Sequence, residues 1–179
     1  MSYTVSKPDA SEYAPYYETY VSKVKLPNVV TALLAQLDDT MNLLHTVSAT
    51  QALYRYAPGK WSVKEVLGHV IDAERIFSYR ALRIARGDKT PLASFDQDPY
   101  IVHAGFDRRT WGSLKDEFEV VRRATLALVH SFDPEAWMRS GIASDNPITV
   151  RALAYIIAGH ELHHVGILRT RYLSRGEME

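Results

Sequence analysis

Apolar residues recur at helical spacing in four stretches of this chain, and the segments between them hold most of its glycines and prolines. A chain with a period of about 3.6 residues has one apolar stripe per helix, and each stripe must be buried against another helix. The first stretch, 28–47, follows Pro27 and sets Val29, Leu33, Leu37, Met41 and Leu44 on one broad face. The second, 62–86, opens on Ser62-Val63-Lys64-Glu65, which has the form of a capping box, and stops before Gly87. The third, 111–131, carries Leu114, Phe118, Val121, Thr125 and Leu128 and ends at Asp133-Pro134. The fourth, 149–173, is dense in Ala, Leu and Ile behind a capping Thr149. A weaker piece at 10–24 predicts a short extra N-terminal helix. No strand pattern or internal repeat stands out. The expected fold is all-α, an antiparallel four-helix bundle in a single domain over 1–179. The linker 87–110 between the second and third helices is too long for a simple bundle turn, and such loops are usually functional or lid-like.

Charge and cysteine content narrow the function. Lysine plus arginine equals aspartate plus glutamate at 21 each, so no net field draws the chain to nucleic acid or to an anionic membrane. With no cysteine, a disulfide framework, a thiolate nucleophile and a Cys-ligated zinc are excluded, and His, Asp and Glu are left as metal ligands. The first residues have neither a signal-peptide core nor transit-peptide character, and no apolar run approaches the ~20 residues that span a bilayer. A cytoplasmic protein is expected, without nucleic acid or membrane partners.

The histidines carry the strongest chemical signal. Advancing about 100° per residue from His69 puts Ala73 near 40° and Ile76 near −20°, so His69 lies in the apolar stripe of its helix. From His160, Leu153 falls near 20°, His164 near 40° and Ile167 near −20°, at about the same step, so both histidines face the core one turn apart. Imidazoles at i and i+4 sit roughly 5–6 Å apart at Cβ, within reach of one ion. Two of them buried side by side without a shared partner would each lose hydration. His69 could supply a third ligand from a facing helix, or could be a hydrogen-bonded core histidine of the ordinary kind. His163 lies at the flank of the stripe, where it could orient a ligand, face substrate or meet solvent. His45, His103 and His130 have no partner at ligand spacing. His160-Glu161-Leu162-His163-His164 also satisfies H-E-x-x-H, the zinc-peptidase signature. A peptidase is the minor alternative, because no extended pattern, downstream ligand helix or substrate-binding strand accompanies the motif.

The run from Lys60 through His69, continuing over Asp72, Glu74, Arg75, Phe77, Tyr79 and Arg80, resembles the DinB/YfiT-like metal-dependent family, as does His160-Glu161-Leu162-His163-His164-Val165-Gly166. The likeness extends through Arg83 to Asp88 and the Phe95-Asp96-Gln97-Asp98 linker, from about Leu26 onward. It implies an up-down-down-up bundle, often a homodimer, in which His69, His160 and His164 hold nickel or zinc with open positions. It also implies membership of a superfamily that includes transferases using low-molecular-weight thiols and metal-dependent hydrolases.

The expected function is therefore a metal-dependent enzyme, either a thiol-dependent S-transferase or a small-molecule hydrolase, in which the metal lowers the pKa of a thiol or a water. For hydrolysis Glu161 is the candidate catalytic base, although at about 100° from His160 it can instead pack against a neighbouring helix. Arg80 and Arg171, each near 20° on its own wheel at about 100° per residue, are candidate holders of a substrate carboxylate, or else reach out to solvent at a bundle end. Asp96 or Asp98 could orient a ligand histidine. The competing class is a non-catalytic, stress-related metal-binding or dimerisation module. Three inward ligands with no evident fourth favour chemistry, since structural zinc usually has four.

Overall fold

The computed structural model describes residues 4–174, so the two ends of the expected 1–179 domain lie outside the described residues. Two 3-10 turns, Ala10–Glu12 and Pro15–Tyr17, lead into the four-residue α1 (Glu18–Val21). Then follow α2 (Val29–Thr46), α3 (Val63–Ala85), α4 (Gln97–Ala104), α5 (Trp111–His130) and α6 (Pro134–Met138). A hairpin of β1 (Ser140–Ala143) and β2 (Asn146–Thr149) precedes α7 (Val150–Ile167), which runs on into a π-helical turn, Leu168–Leu173.

The four long helices start where capping chemistry permits. Asn28, Thr110 and Thr149 each accept a backbone N–H of the first turn of α2, α5 and α7. At α3 the exchange is reciprocal: Glu65 N donates to Ser62 Oγ at 3.1 Å, and Ser62 N donates to a Glu65 carboxylate oxygen at 2.7 Å. In the bundle α2 lies against α5 and α7, and α3 against α5 and α7, leaving α2 diagonal to α3. Side-chain contacts give the directions. Leu33 and Leu44 of α2 meet Arg122 and Trp111 of α5, so these helices oppose, whereas Gln36 and Thr40 meet Ala158 and Glu161 of α7 in the same sense. Glu74 of α3 meets Arg122 while Lys64 reaches the carbonyl of Arg109 just before α5, so α3 and α5 are parallel. Up-down-down-up follows. The long linker is then a necessity, because two parallel neighbours can be joined only by a segment that returns along α3, 23 residues or about 34 Å at ~1.5 Å per residue.

At the centre of this interior lies a charged cluster. The guanidinium of Arg122 grips both oxygens of Glu74 at 2.8 Å each, stands 2.6 Å from Glu161 Oε2 and donates to the Leu33 carbonyl at 3.2 Å. Thr40 donates to Glu161 Oε1 at 2.5 Å. All four long helices therefore converge on one buried cation.

Two expectations are corrected. The hairpin was not foreseen: each strand is four residues long and one carries a proline, so no alternating pattern exists to read. Its turn, Ser144-Asp145, has φ of 51° and 61°, a left-handed geometry in which glycine or asparagine is usual. The long linker has structure of its own: it contains α4 and a 3-10 turn, Phe106–Arg108, and Leu92 bonds alongside β1 through Ile142 and Ser144. The N-terminal piece is mostly 3-10, with only one turn of α-helix.

Candidate metal centre

His69 on α3 and His160 and His164 on α7 converge in the bundle interior. His69 Nε2 lies 3.0 Å from His160 Nε2, and one ligand nitrogen from each of the three rings lies within 4.8 Å of the others. His69 and His160 are 4% and 5% exposed, and His164 is half-buried. Burial, reinforced by His163, pulls His69 down to about 4. Burial also lowers His160 well below the ordinary imidazole value and takes His164 to about 3, with the neighbouring histidines adding to the effect in both. All three are neutral at pH 7, the form in which imidazole offers a lone pair. Beyond the His69–His160 contact, none of these rings has a hydrogen bond among the described residues.

Those features fit a divalent ion. One ion at ~2.0–2.1 Å from each nitrogen brings the nitrogens to roughly 3–4 Å of one another, close to the arrangement present. No described Asp, Glu or Cys joins the group, so three protein ligands would leave positions open.

Glycine precedes two of the ligands and makes room beside them. A Cβ on Gly159 would lie 2.1 Å from the backbone oxygen of Tyr20, and this close approach seats the Tyr20 ring 5.1 Å from that of His160. A Cβ on Gly68 would lie 2.5 Å from the Phe106 ring. The sequence offered a sign of both: a glycine inside a helix costs about 1 kcal/mol against alanine and generally has a packing reason.

His69 and His160 open onto a cavity of about 310 Å³, walled by Tyr16, Tyr17, Tyr20 and Phe77 and by Phe95, Asp96 and Ser144. His164 opens on the other side, onto about 330 Å³ beside Trp61, Asp98 and Tyr172.

The other expected site residues divide. Glu161 belongs to the charged cluster: Thr40 and Arg122 occupy its two oxygens, and its wheel position turns it into the helix interface and away from the chelate. His163 is half-buried, its ring 5.0 Å from that of His164 and 5.5 Å from that of Tyr20. Asp96 caps α4 by accepting from Asp98 N, and neither carboxylate bonds to a histidine, although Asp96 and Asp98 each line one of the two cavities. Arg171 is exposed on the π-helical turn. Arg80 does not reach out to solvent: it is 2% exposed and donates through Nη2 to Ala93 O and Ser144 Oγ. His45, His103 and His130 are exposed. Arg122 and Glu74 were missed, although Arg122 lies only about 40° from Phe118 on the wheel and so places a charge on the apolar stripe.

A family model for the DinB superfamily matches residues 32–168, a span that contains all three histidines. The chain belongs to the DinB superfamily. Among solved structures, the superfamily fold is shared with YfiT from Bacillus subtilis, described as a probable metal-dependent hydrolase with an unusual four-helix bundle topology, at a TM-score of 0.64 and 15% identity over 91% of each chain. A DinB-like protein of Bacillus subtilis gives 0.60 at 22% identity, covering 84% of this chain and 93% of its own. The mycothiol-dependent maleylpyruvate isomerase gives 0.65 at 13% identity over 76% of this chain, which spans 58% of that enzyme. Comparison with curated protein sequences gives no match. No described helix is long and apolar enough to cross a membrane.

Proposed function

We propose that this DinB-superfamily chain is a metal-dependent enzyme in which His69, His160 and His164 hold one zinc or nickel ion beside the aromatic cavity, and that it joins a low-molecular-weight thiol to a small electrophile. The observation that carries the reading is the pairing of three neutral, convergent imidazoles with a cavity of about 310 Å³ onto which two of them open. A bound ion supplies Lewis acidity and lowers the pKa of a thiol or water placed on it. The residues do the rest: the imidazoles arrive already deprotonated, Tyr20 and Phe77 pack edge-on against His160, and the aromatic wall limits the water that reaches the nucleophile.

Transfer is preferred to hydrolysis because Glu161, the base that a hydrolytic step would draw on, is taken up by Arg122 and Thr40. A thiol needs less help, since its ordinary pKa of ~8.5 is far nearer to neutrality than that of water. The thiol dependence of the structurally similar isomerase supports the same choice.

The test has two stages. Metal analysis should find about one ion per chain in the wild type and none in His69→Ala, His160→Ala or His164→Ala; full retention in any of the three removes that residue from the ligand set. The metal-loaded protein is then incubated with monochlorobimane and a panel of thiols. Conjugation specific to one thiol is expected, and stoichiometric metal with no turnover on any thiol overturns the transferase reading.

A further inference from the structure

Arg80 lies on α3 eleven residues beyond His69, on the same helical face at about 20°. Its guanidinium sits between two aromatic rings, 5.9 Å from the Phe77 centroid and 5.8 Å from that of Phe95. Nη2 donates to Ala93 O at 2.6 Å and to Ser144 Oγ at 3.1 Å, which uses both of its hydrogens. Among the described residues no carboxylate pairs with the charge, and Nε and Nη1 have no acceptor. Neither of those atoms is sealed in the interior, for among the described residues the only side-chain N or O atoms both sealed and without a hydrogen bond are Gln36 Oε1 and Glu161 Oε2, the latter held by its ion pair with Arg122.

Outside these donors is a cleft of about 500 Å³ lined by three arginines, Arg75, Arg80 and Arg83, and by no acid. Arg75 is balanced by Glu117 at 2.5 Å and Arg83 by Asp88. Arg80 alone keeps an uncompensated charge. The remaining wall is largely apolar or aromatic, with Tyr79, Leu92, Phe95 and Tyr100. Phe95 also lines the histidine cavity, and so does Ser144, the acceptor of Arg80, so the cleft adjoins the candidate metal centre across one ring.

A buried guanidinium without a carboxylate is costly unless an anion arrives to meet it, and planar apolar walls select what carries that anion. We infer that this cleft is a binding subsite for a small aromatic or branched apolar carboxylic acid, whose carboxylate accepts from Arg80 while its hydrocarbon part lies against Tyr79, Tyr100 and Phe95. That this acid is the molecule processed at the histidines rests on the function proposed above; the binding itself does not need the metal.

Benzoate and its neutral isostere benzamide are the probes, titrated by calorimetry into wild type, Arg80→Met, Arg80→Lys and His160→Ala, with ¹⁵N spectra following the Arg80 Nε–H signal in the wild type. Benzoate should bind the wild type at least tenfold more tightly than benzamide and shift the Arg80 signal. Arg80→Met should lose at least tenfold and Arg80→Lys should recover part of it. His160→Ala should bind benzoate as the wild type does, whether or not it holds metal. Equal affinity for the two probes, an unmoved Arg80 signal, or benzoate binding lost with the metal in His160→Ala would each overturn the inference. The spectral readout uses the unaltered chain and so stands even if Arg80→Met does not fold.

Discussion

Replacing Arg122 by methionine tests whether the bundle is held by the charge at its centre. Methionine keeps much of the stem volume and removes the group that faces Glu74, Glu161 and the Leu33 carbonyl. Two carboxylates, 3% and 1% exposed, are then left facing one another without their cation. Breaking a buried pair by removing one partner costs about 3–5 kcal/mol, a large share of a total stability of roughly 5–15 kcal/mol. With a urea dependence of about 2 kcal/mol per molar, the unfolding midpoint should fall by about 2 M. Glu161→Gln is the control: Arg122 keeps its two-point contact with Glu74 and Thr40 keeps an acceptor, so the loss should be nearer ~1–2 kcal/mol. Urea unfolding followed by far-UV circular dichroism, with metal content measured on the same preparations, reads both variants. An Arg122→Met midpoint within 0.5 M of wild type, a margin of about 1 kcal/mol at that dependence, would show that the cluster does not hold the helices together. A Glu161→Gln protein of unchanged stability but without turnover would show that the carboxylate serves the reaction after all.

Three further outcomes follow from local geometry. Alanine at helix-interior glycines ordinarily gains up to about 1 kcal/mol; at Gly166, where a Cβ meets nothing within 4 Å, the melting temperature should rise, whereas at Gly159 the encounter with Tyr20 backbone should reverse the sign by ~1–3 kcal/mol. Ser62→Ala removes the acceptor for Glu65 N and the donor to Asp107, and should cost about 1–2 kcal/mol in urea unfolding, with Ser62→Thr recovering most of it. Burial, aided by Glu18 at Tyr13 and by Tyr56 at Tyr172, pushes both phenols up to about 12. Burial raises Tyr20 and Tyr155 as well. A raised tyrosine pKa means that their contribution is complete below pH ~10 and is lost as pH rises through the folded value, so absorbance at 295 nm should show a group of buried phenols, Tyr13 and Tyr172 among them, ionising late, together with a fall in stability; ionisation of all tyrosines near pH 10 would refute this.

The long helices and the shared face of His160 and His164 were legible because both rest on spacing along one helix. The stripe containing Leu33, Leu37 and Leu44 gave α2, the Ser62–Glu65 box gave the start of α3, and the i, i+4 pair gave His160 and His164 a common face. The hairpin was illegible because Gly141 and Pro147 suit a strand poorly and because the segment that lies alongside β1, at Leu92, is far away in the chain. The surroundings of Glu161 were illegible for a related reason. The residue lies between two of the converging histidines in sequence, but about 100° of helix separates it from His160, and its partners come from α2 and α5, which no local pattern announces. Arg122 was detectable as a charge within an apolar stripe, yet only the fold could say which carboxylates met it.

The cavity beside His69 and His160 is walled mainly by pieces appended to the four long helices: tyrosines at or just before α1, Phe95 and Asp96 from the linker, Ser144 from the hairpin turn. The converging histidines and the groups that shape the entrance are thus carried by different parts of the chain. Substitutions at Tyr16, Phe95 or Ser144 can remodel what the entrance admits while leaving the histidines and the charged centre as they are. What this cavity admits is open to change at a few peripheral positions, on a scaffold that need not be rebuilt each time.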